Sequence, residues 1–263
     1  MGIANNGERE YAYLRHVRLC AMVRGPDRTA NGTIAALSYG ENMTVRLTHS
    51  FSAIKMFENC PLQYYRVRIL KDVVSKGSEA TIWGERIHEQ LENRLKTGVA
   101  LPPESSSYEP IVSAIERIAP AGGLFVEQEV TLNDKLQPTG WWDPDAWLRS
   151  KLDVQIMRPP VAYVIDWKTG KRRPDSTQLE LFALQVFSHS PEVMKVVSKF
   201  VWLKEGTSDS LTYKREQVPQ MWADLLTRIK RIEQAAAANV WPAKPSGLCP
   251  WCPAKDTCPS ARR

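Results

Sequence analysis

Val161-Ala162-Tyr163-Val164-Ile165-Asp166-Trp167-Lys168-Thr169-Gly170 is the stretch on which the fold turns. Its opening run is almost wholly apolar, which predicts a central strand buried on both faces. Side chains alternate along a strand, so Asp166 and Lys168 share a face. Trp167 points the other way and leaves its carbonyl near the Asp166 side. Upstream, Asp153 lies in a second strand predicted over Trp147 to Ile156, with Pro159-Pro160 marking the turn between the two. Paired as a hairpin, these strands bring Asp153 and Asp166 to one edge. Two carboxylates and a backbone carbonyl make a hard-oxygen site suited to Mg²⁺ or Mn²⁺. A lysine beside such a cation can orient a water and steady charge building on a phosphate. The bland alternative is a surface ion pair, which an Asp-x-Lys at a strand end commonly is.

Outward from this hairpin the period changes. Phe125 to Leu132 alternates and reads as a strand, and Val196 to Leu203 and Ser210 to Lys214 read as two more. Ser50 caps an amphipathic helix that starts at Phe51. A longer helix runs from Glu79 to Lys96, with Trp83, Ile87, Leu91 and Leu95 as a buried stripe and Gly98 as its stop. Short helical spacing returns near Ile111–Ile118, then at Gln178 to Phe187, and a long helix spans Met221 to Ala238. This order predicts an α/β fold with a mixed sheet. His88 follows Gly84 by one helical turn and falls beside the stripe, as a satisfied core histidine or a metal ligand. Gln178 opens the helix after the Asp166 strand and could hold the lysine or a phosphate, or simply face solvent.

With 263 residues, 43% apolar and 24% charged, the chain suits one large domain and excludes wholesale disorder. No apolar run approaches a membrane span. Ala12 to Val23 is broken by Arg15, His16 and Arg18, which argues against a secretory signal and for a cytoplasmic protein. Residues 1–46 carry breakers at Asn5-Asn6-Gly7, Gly25-Pro26-Asp27 and Asn31-Gly32. A flexible extension is expected there, with Met43 a candidate internal start; its acids count against a transit peptide. Residues 47–263 would form the single folded domain. The net charge of +6, from 35 basic and 29 acidic residues, hints at a polyanionic partner.

Five cysteines, an odd number, point to a reducing compartment rather than a disulfide framework. Cys249-Pro250-Trp251-Cys252 is followed by Cys258, and prolines at 250, 253 and 259 keep the segment out of helix. Cys60, before Pro61, is the better candidate for a fourth ligand; Cys20 is the weaker one. A lone distant cysteine with a tight triplet suits a [4Fe–4S] cluster, with zinc as the alternative. Such a site would clasp residue 60 to residue 258, with a structural role as the default.

These residues together resemble the RecB-like branch of the PD-(D/E)XK nuclease superfamily, in particular its iron–sulfur members: the CRISPR-associated RecB-like exonucleases and the AddB nuclease domain. The likeness runs in family order over about residues 48–260. Ser50-Phe51-Ser52 through Cys60-Pro61-Leu62-Gln63-Tyr64-Tyr65 resembles the segment bearing the first cluster cysteine. Gly84-x₃-His88 resembles the motif of the metal-binding histidine. Asp153 stands at the first metal carboxylate, and Asp166-x-Lys168-Thr169-Gly170 resembles the D/E-x-K motif. Gln178 with Phe182 resembles the glutamine motif, where tyrosine is commoner than phenylalanine, and Cys249-x₂-Cys252-x₅-Cys258 the cysteine triplet. The run Arg149-Ser150-Lys151-Leu152 lacks the glycine often found there, and no G-x₄-G-K-[ST] is present, which argues against ATP-driven unwinding.

The resemblance implies a restriction-endonuclease-like core with a central mixed sheet flanked by helices, closed by a cysteine-ligated clasp over residues 241–260. It implies a Mg²⁺- or Mn²⁺-dependent DNA nuclease, an exonuclease on single strands serving recombination, repair or CRISPR-type spacer processing. His88, Asp153, Asp166 and the Trp167 carbonyl would hold the metal; Lys168 and Gln178 would complete the catalytic set. Glu127 or Glu129 could add a carboxylate. Cys60, Cys249, Cys252 and Cys258 would hold the cluster. Tyr64, Tyr65, Arg66 and Arg68 are candidates for a strand path, by stacking and phosphate contact. A recombination or CRISPR adaptation protein is the expected partner, oligomers are compatible, and a small nuclease without a helicase suits a phage or mobile element. The rival class is a non-catalytic nucleic-acid-binding or partner-docking module with a structural metal site.

Overall fold

The structure is a computed structural model, and it describes residues 47–74, 77–173 and 175–261. The N-terminal extension expected over residues 1–46, with Cys20 and Met43, lies outside the described residues. Residues Val45–Arg263 gather into one unit, and all that follows concerns it.

Helix α1 (Phe51–Asn59) starts where Ser50 accepts the Ala53 N–H, the orphan donor that an N-cap satisfies. The four-residue α2 (Pro61–Tyr64) runs on into a π-helical turn over Tyr65–Leu70. Helix α3 (Glu79–Thr97) is capped by Ser78 and stops at Gly98, whose φ of 76° is the left-handed conformation that releases a helix end. Helix α4 is Glu109–Ile118. Strands β1 (Leu124–Leu132), β2 (Leu148–Arg158) and β3 (Val161–Lys168) follow, then α5 (Ser176–His189), β4 (Lys195–Trp202), β5 (Thr207–Lys214) and α6 (Val218–Ala238).

The strands lie in the order β1-β2-β3-β4-β5. All neighbours are antiparallel except β3 and β4, which are parallel and joined through α5. Helices α1, α5 and α6 bury one face through Ile54, Leu181, Phe187, Leu225 and Ile229, against Leu132, Leu148, Leu152 and Val164 of the sheet. Helices α3 and α4 bury the other through Ile87, Leu91, Val112 and Ile115, against Val154, Ile156, Ile165 and Trp167. This is the expected restriction-endonuclease-like α/β arrangement, a mixed sheet between two helical layers.

One departure from simple alternation positions the site. Leu148 and Leu152 face the α5/α6 core, yet Val154 and Ile156, of the same parity, face the α3/α4 core. Strand β1 does the same: Leu124 and Val126 pack towards α3, Val130 and Leu132 towards α5. Both strands therefore turn over together between the pairs Val126↔Val154 and Gln128↔Leu152. The residues at the turnover are Glu127 and Asp153, and Glu127 has a φ of 55°, sparsely populated for a non-glycine residue. Two strands that must bury apolar side chains on opposite sheet faces at their two ends reverse their alternation here.

The residues expected along a DNA path have other partners. Tyr64 is 1% exposed. Its ring and that of Tyr65 stack on Trp241 at centroid distances of 5.8 and 5.1 Å. Arg66 forks onto Asp72 at 2.9 Å and bonds Thr257. The π-helical turn rotates this segment towards the chain that follows α6. Tyr64, Tyr65 and Arg66 thus take part in a seam between the N- and C-terminal segments, joined further by Leu62 N–H to the Pro242 carbonyl at 3.2 Å, while Arg68 is exposed.

Candidate active site

Three elements meet at the turnover. Helix α3 approaches the end of β3 closely at Gly84, where a Cβ would sit 2.7 Å from Thr169 Oγ1. That contact explains glycine one turn before His88. His88 Nδ1 then lies 3.5 Å from Asp153 Oδ2. Positive φ at Glu127 brings its carboxylate to the same place. His88, Glu127 and Asp153 each offer a ligand atom, all within 4.8 Å of one another. They line an open hollow of about 440 Å³ with Gly84 and Lys151. Lys151 Nζ reaches Glu127 Oε2 at 2.6 Å, and that bond holds the Lys151 ammonium above its usual pKa.

Next to this trio is a second one. Asp166 is 5% exposed, and Lys168 Nζ touches its Oδ2 at 2.6 Å. Gln178 spans the pair: Nε2 donates to Asp166 Oδ1 at 3.1 Å, and Oε1 accepts from Lys168 Nζ at 2.9 Å. Lys168 also lies 4.9 Å from the Phe200 ring centroid. The Trp167 N–H donates to Asp153 Oδ2 at 2.7 Å and links the two trios. Asp175 caps α5 through Thr177 N–H, which sets Gln178 over β3.

The electrostatics favour a cation. Burial, then the Asp153 charge, pushes the Asp166 carboxyl up to about 7 against the pull of Lys168. Burial works to depress His88, but Asp153, Asp166 and Glu127 outweigh it and hold the imidazole above its ordinary value. Asp166 Oδ2 is a buried oxygen whose contact with Lys168 lacks hydrogen-bond geometry. Carboxylate oxygens in excess, with one imidazole, are a donor set that fits Mg²⁺ or Mn²⁺.

Of the residues named from sequence, His88 and Asp153 come together, and Asp166, Lys168 and Gln178 form one bonded set. Asp166 stands outside the 4.8 Å group, and Glu127 stands inside it. Glu129 is exposed and pairs in register with Lys151. No periodicity in β1 distinguishes Glu127 from Glu129; the positive φ does.

Cys60, Cys249, Cys252 and Cys258 all border one small hollow. The segment after α6 reaches it through 3₁₀ turns at Cys249–Trp251 and Lys255–Thr257. Cys60 Sγ accepts the Lys244 N–H at 3.4 Å, and Cys249 Sγ accepts that of Ser246 at 3.3 Å. Among the described residues, no three of these sulfurs lie within 4.8 Å of one another.

The sequence model of the PD-(D/E)XK nuclease superfamily matches residues 124–259. The chain belongs to that superfamily. The match takes in Glu127, Asp153, Asp166, Lys168 and Gln178, while α3 with its histidine lies before it. Two solved structures are similar to this chain. One is described as SSO0001, with 12% identity, a TM-score of 0.44, and coverage of 86% of this chain and 91% of that one. The other, from Eubacterium rectale, bears the provisional name exonuclease, with 14% identity, a TM-score of 0.47, and coverage of 78% and 86%. No curated protein matches the sequence.

Proposed function

We propose that this nuclease is a Mg²⁺- or Mn²⁺-dependent DNA exonuclease acting on single strands. The observation that carries the reading is the pair of linked trios, His88–Glu127–Asp153 and Asp166–Lys168–Gln178. His88, Asp153, Asp166, Glu127 and the Trp167 carbonyl are the proposed metal donors. A bound divalent cation supplies Lewis acidity to the scissile phosphate and lowers the pKa of water. The chain's own residues do the rest. Lys168 is held by Gln178 and Asp166 with its ammonium directed at the site, where it orients the attacking water and steadies charge on the phosphoryl oxygens. Lys151 offers a second cation at the rim.

Residues 47–263 are proposed as a single nuclease domain, closed by a [4Fe–4S] clasp on Cys60, Cys249, Cys252 and Cys258. Four thiols around one hollow fit such a group, and N–H donors to two sulfurs match the outer-shell bonding that tunes it. A cytoplasmic protein working in recombination, repair or CRISPR-type spacer processing is the context that the resemblance suggests.

The test is cleavage of end-labelled single- and double-stranded DNA with Mn²⁺, Mg²⁺ or EDTA. Wild type should cut only with metal, and the end label should show release from an end. Asp166→Ala and Lys168→Ala should each lose about 10²–10³-fold or more in rate. Equal cutting by wild type and both variants, or cutting in EDTA, would overturn the assignment.

A further inference from the structure

A second feature of the same sheet has no role in the site described. Trp142 is 81% exposed. Arg149 Cζ lies 5.4 Å from the Trp141 ring centroid and 5.8 Å from that of Trp142. Arg149 Nε is buried and has no hydrogen-bond partner. The rings stand on an ordered turn: Asp143 N–H bonds the Gly140 carbonyl, Ala146 N–H bonds that of Asp143, and Asp143 Oδ1 accepts the Asp145 N–H at 2.7 Å. The turn sets the main chain under Trp142, and Arg149 lies against its ring.

Strand direction relates this platform to the site. Leu148 and Leu152 point into the α5/α6 core, so Arg149 and Lys151 point to the opposite face. Lys151 there meets Glu127, and Asp153 comes next at the turnover. Arg149, Lys151 and Asp153 thus form a row along β2, with Arg149 about 13 Å from Asp153 at roughly 3.3 Å per residue. The row runs from an aromatic–cationic platform, past a half-exposed lysine, to the carboxylates.

We infer that Trp142, backed by Arg149, is a stacking platform for an unpaired base of a single DNA strand whose phosphates pass Lys151 into the site. The inference rests on the nuclease reading and deepens it by naming what selects single strands. Stacking needs an open ring face, which an exposed indole supplies; a guanidinium beneath strengthens it. Bases within a duplex are already stacked on their neighbours, so the platform rewards only unpaired ones. Duplex DNA, RNA and protein are the competing occupants.

The experiment measures binding of a fluorescein-labelled oligothymidylate in Ca²⁺, with competition by unlabelled duplex DNA and oligouridylate, and then the kinetics of its cleavage in Mn²⁺. Variants are Trp142→Ala and Trp142→Phe; removing a ring this exposed leaves the core untouched. Trp142→Ala should raise Kd and KM by about 5- to 100-fold. At saturating oligomer kcat should stay within about threefold, and Trp142→Phe should recover most of the loss. An unchanged Kd in Trp142→Ala, a fall in kcat as large as the rise in KM, or an equal loss of duplex or RNA binding would overturn the platform. So would failure of wild type to bind the oligomer. Wild type that binds it and loses binding in Trp142→Ala, but never cuts, would retain the platform and sink the nuclease reading.

Discussion

At the candidate nuclease centre, side chains are held by a sheet; at the cysteine segment, the chain passes through short 3₁₀ turns and few strands or helices back it. Gln178 bonds both Asp166 and Lys168, which pair as ions, and the Asp153 carboxylate accepts a main-chain N–H from the neighbouring strand. The four cysteines share a hollow, and the sulfurs of Cys60 and Cys249 accept main-chain N–H bonds. A reaction centre needs its groups in place before substrate arrives, and strand register provides that. A metal–thiolate site can be built on loops, because bonds to the metal supply the order that the backbone lacks.

The largest expected break in this contrast comes from Cys252→Ala. If the proposed cluster is bound, the change should abolish its visible absorbance and lower Tm by about 10 °C or more, since bonds to the metal would carry folding energy. Cleavage by the folded fraction at low temperature should stay within about threefold of wild type. A hundredfold loss of kcat in protein that remains folded would show that the cysteine segment takes part in the chemistry.

Glu127→Gln acts on the other side of the comparison. Its carboxylate sits with His88 and Asp153. Removing the charge should raise the Mn²⁺ concentration for half-maximal cutting by about 10- to 100-fold, with any absorbance of the proposed cluster unchanged. An unaltered metal titration would remove Glu127 from the donor set.

Gly84→Ala tests how finely α3 is seated. The new methyl meets Thr169 Oγ1, while helix propensity gains about 1 kcal/mol over glycine. Tm should therefore move little. Cleavage should fall about tenfold, because Thr169 must rotate beside Lys168 and small misplacements near a reacting centre are costly. Full activity would show that the helix can retreat freely.

The last expected effect is on stability alone, where β2 meets α6. His49 is fully buried and bridges into β2, 3.5 Å from Glu233 of α6. Burial lowers its pKa to about 4, with Glu233 opposing. The unfolded chain takes up this proton near pH 6.5 and the folded chain does not. Stability is therefore full above about 6.5 and declines as pH falls towards 4, by at most about 1.4 kcal/mol per pH unit. Urea unfolding between pH 7 and pH 4.5 should show this decline, and His49→Gln should flatten its share of it. Parallel profiles for the two proteins would assign the acid sensitivity elsewhere.

Much of the fold was legible because its signals are local. Ser50 and Ser78 cap helices through their own side chains, Gly98 takes the left-handed conformation at a helix end, and the apolar run of β3 admits few other uses. Asp166 and Lys168 share a face by strand geometry alone, and they meet at 2.6 Å. The spacing of Gly84 and His88 along one helix is equally a property of the chain.

What the tertiary structure decided depends on burial against distant segments. Glu127 joins His88 because β1 and β2 reverse their alternation together to serve two cores, an event no period in either strand displays. Tyr64 and Tyr65 turn inward because Trp241, far along the chain, offers a ring to cover. Trp142 stays exposed beside Arg149, while Trp147, five residues on, is buried in the core with Leu148. Local backbone preferences are written residue by residue and can be read from the sequence. Which aromatic is buried, and which carboxylate meets a histidine, is settled only when remote surfaces compete for the same space.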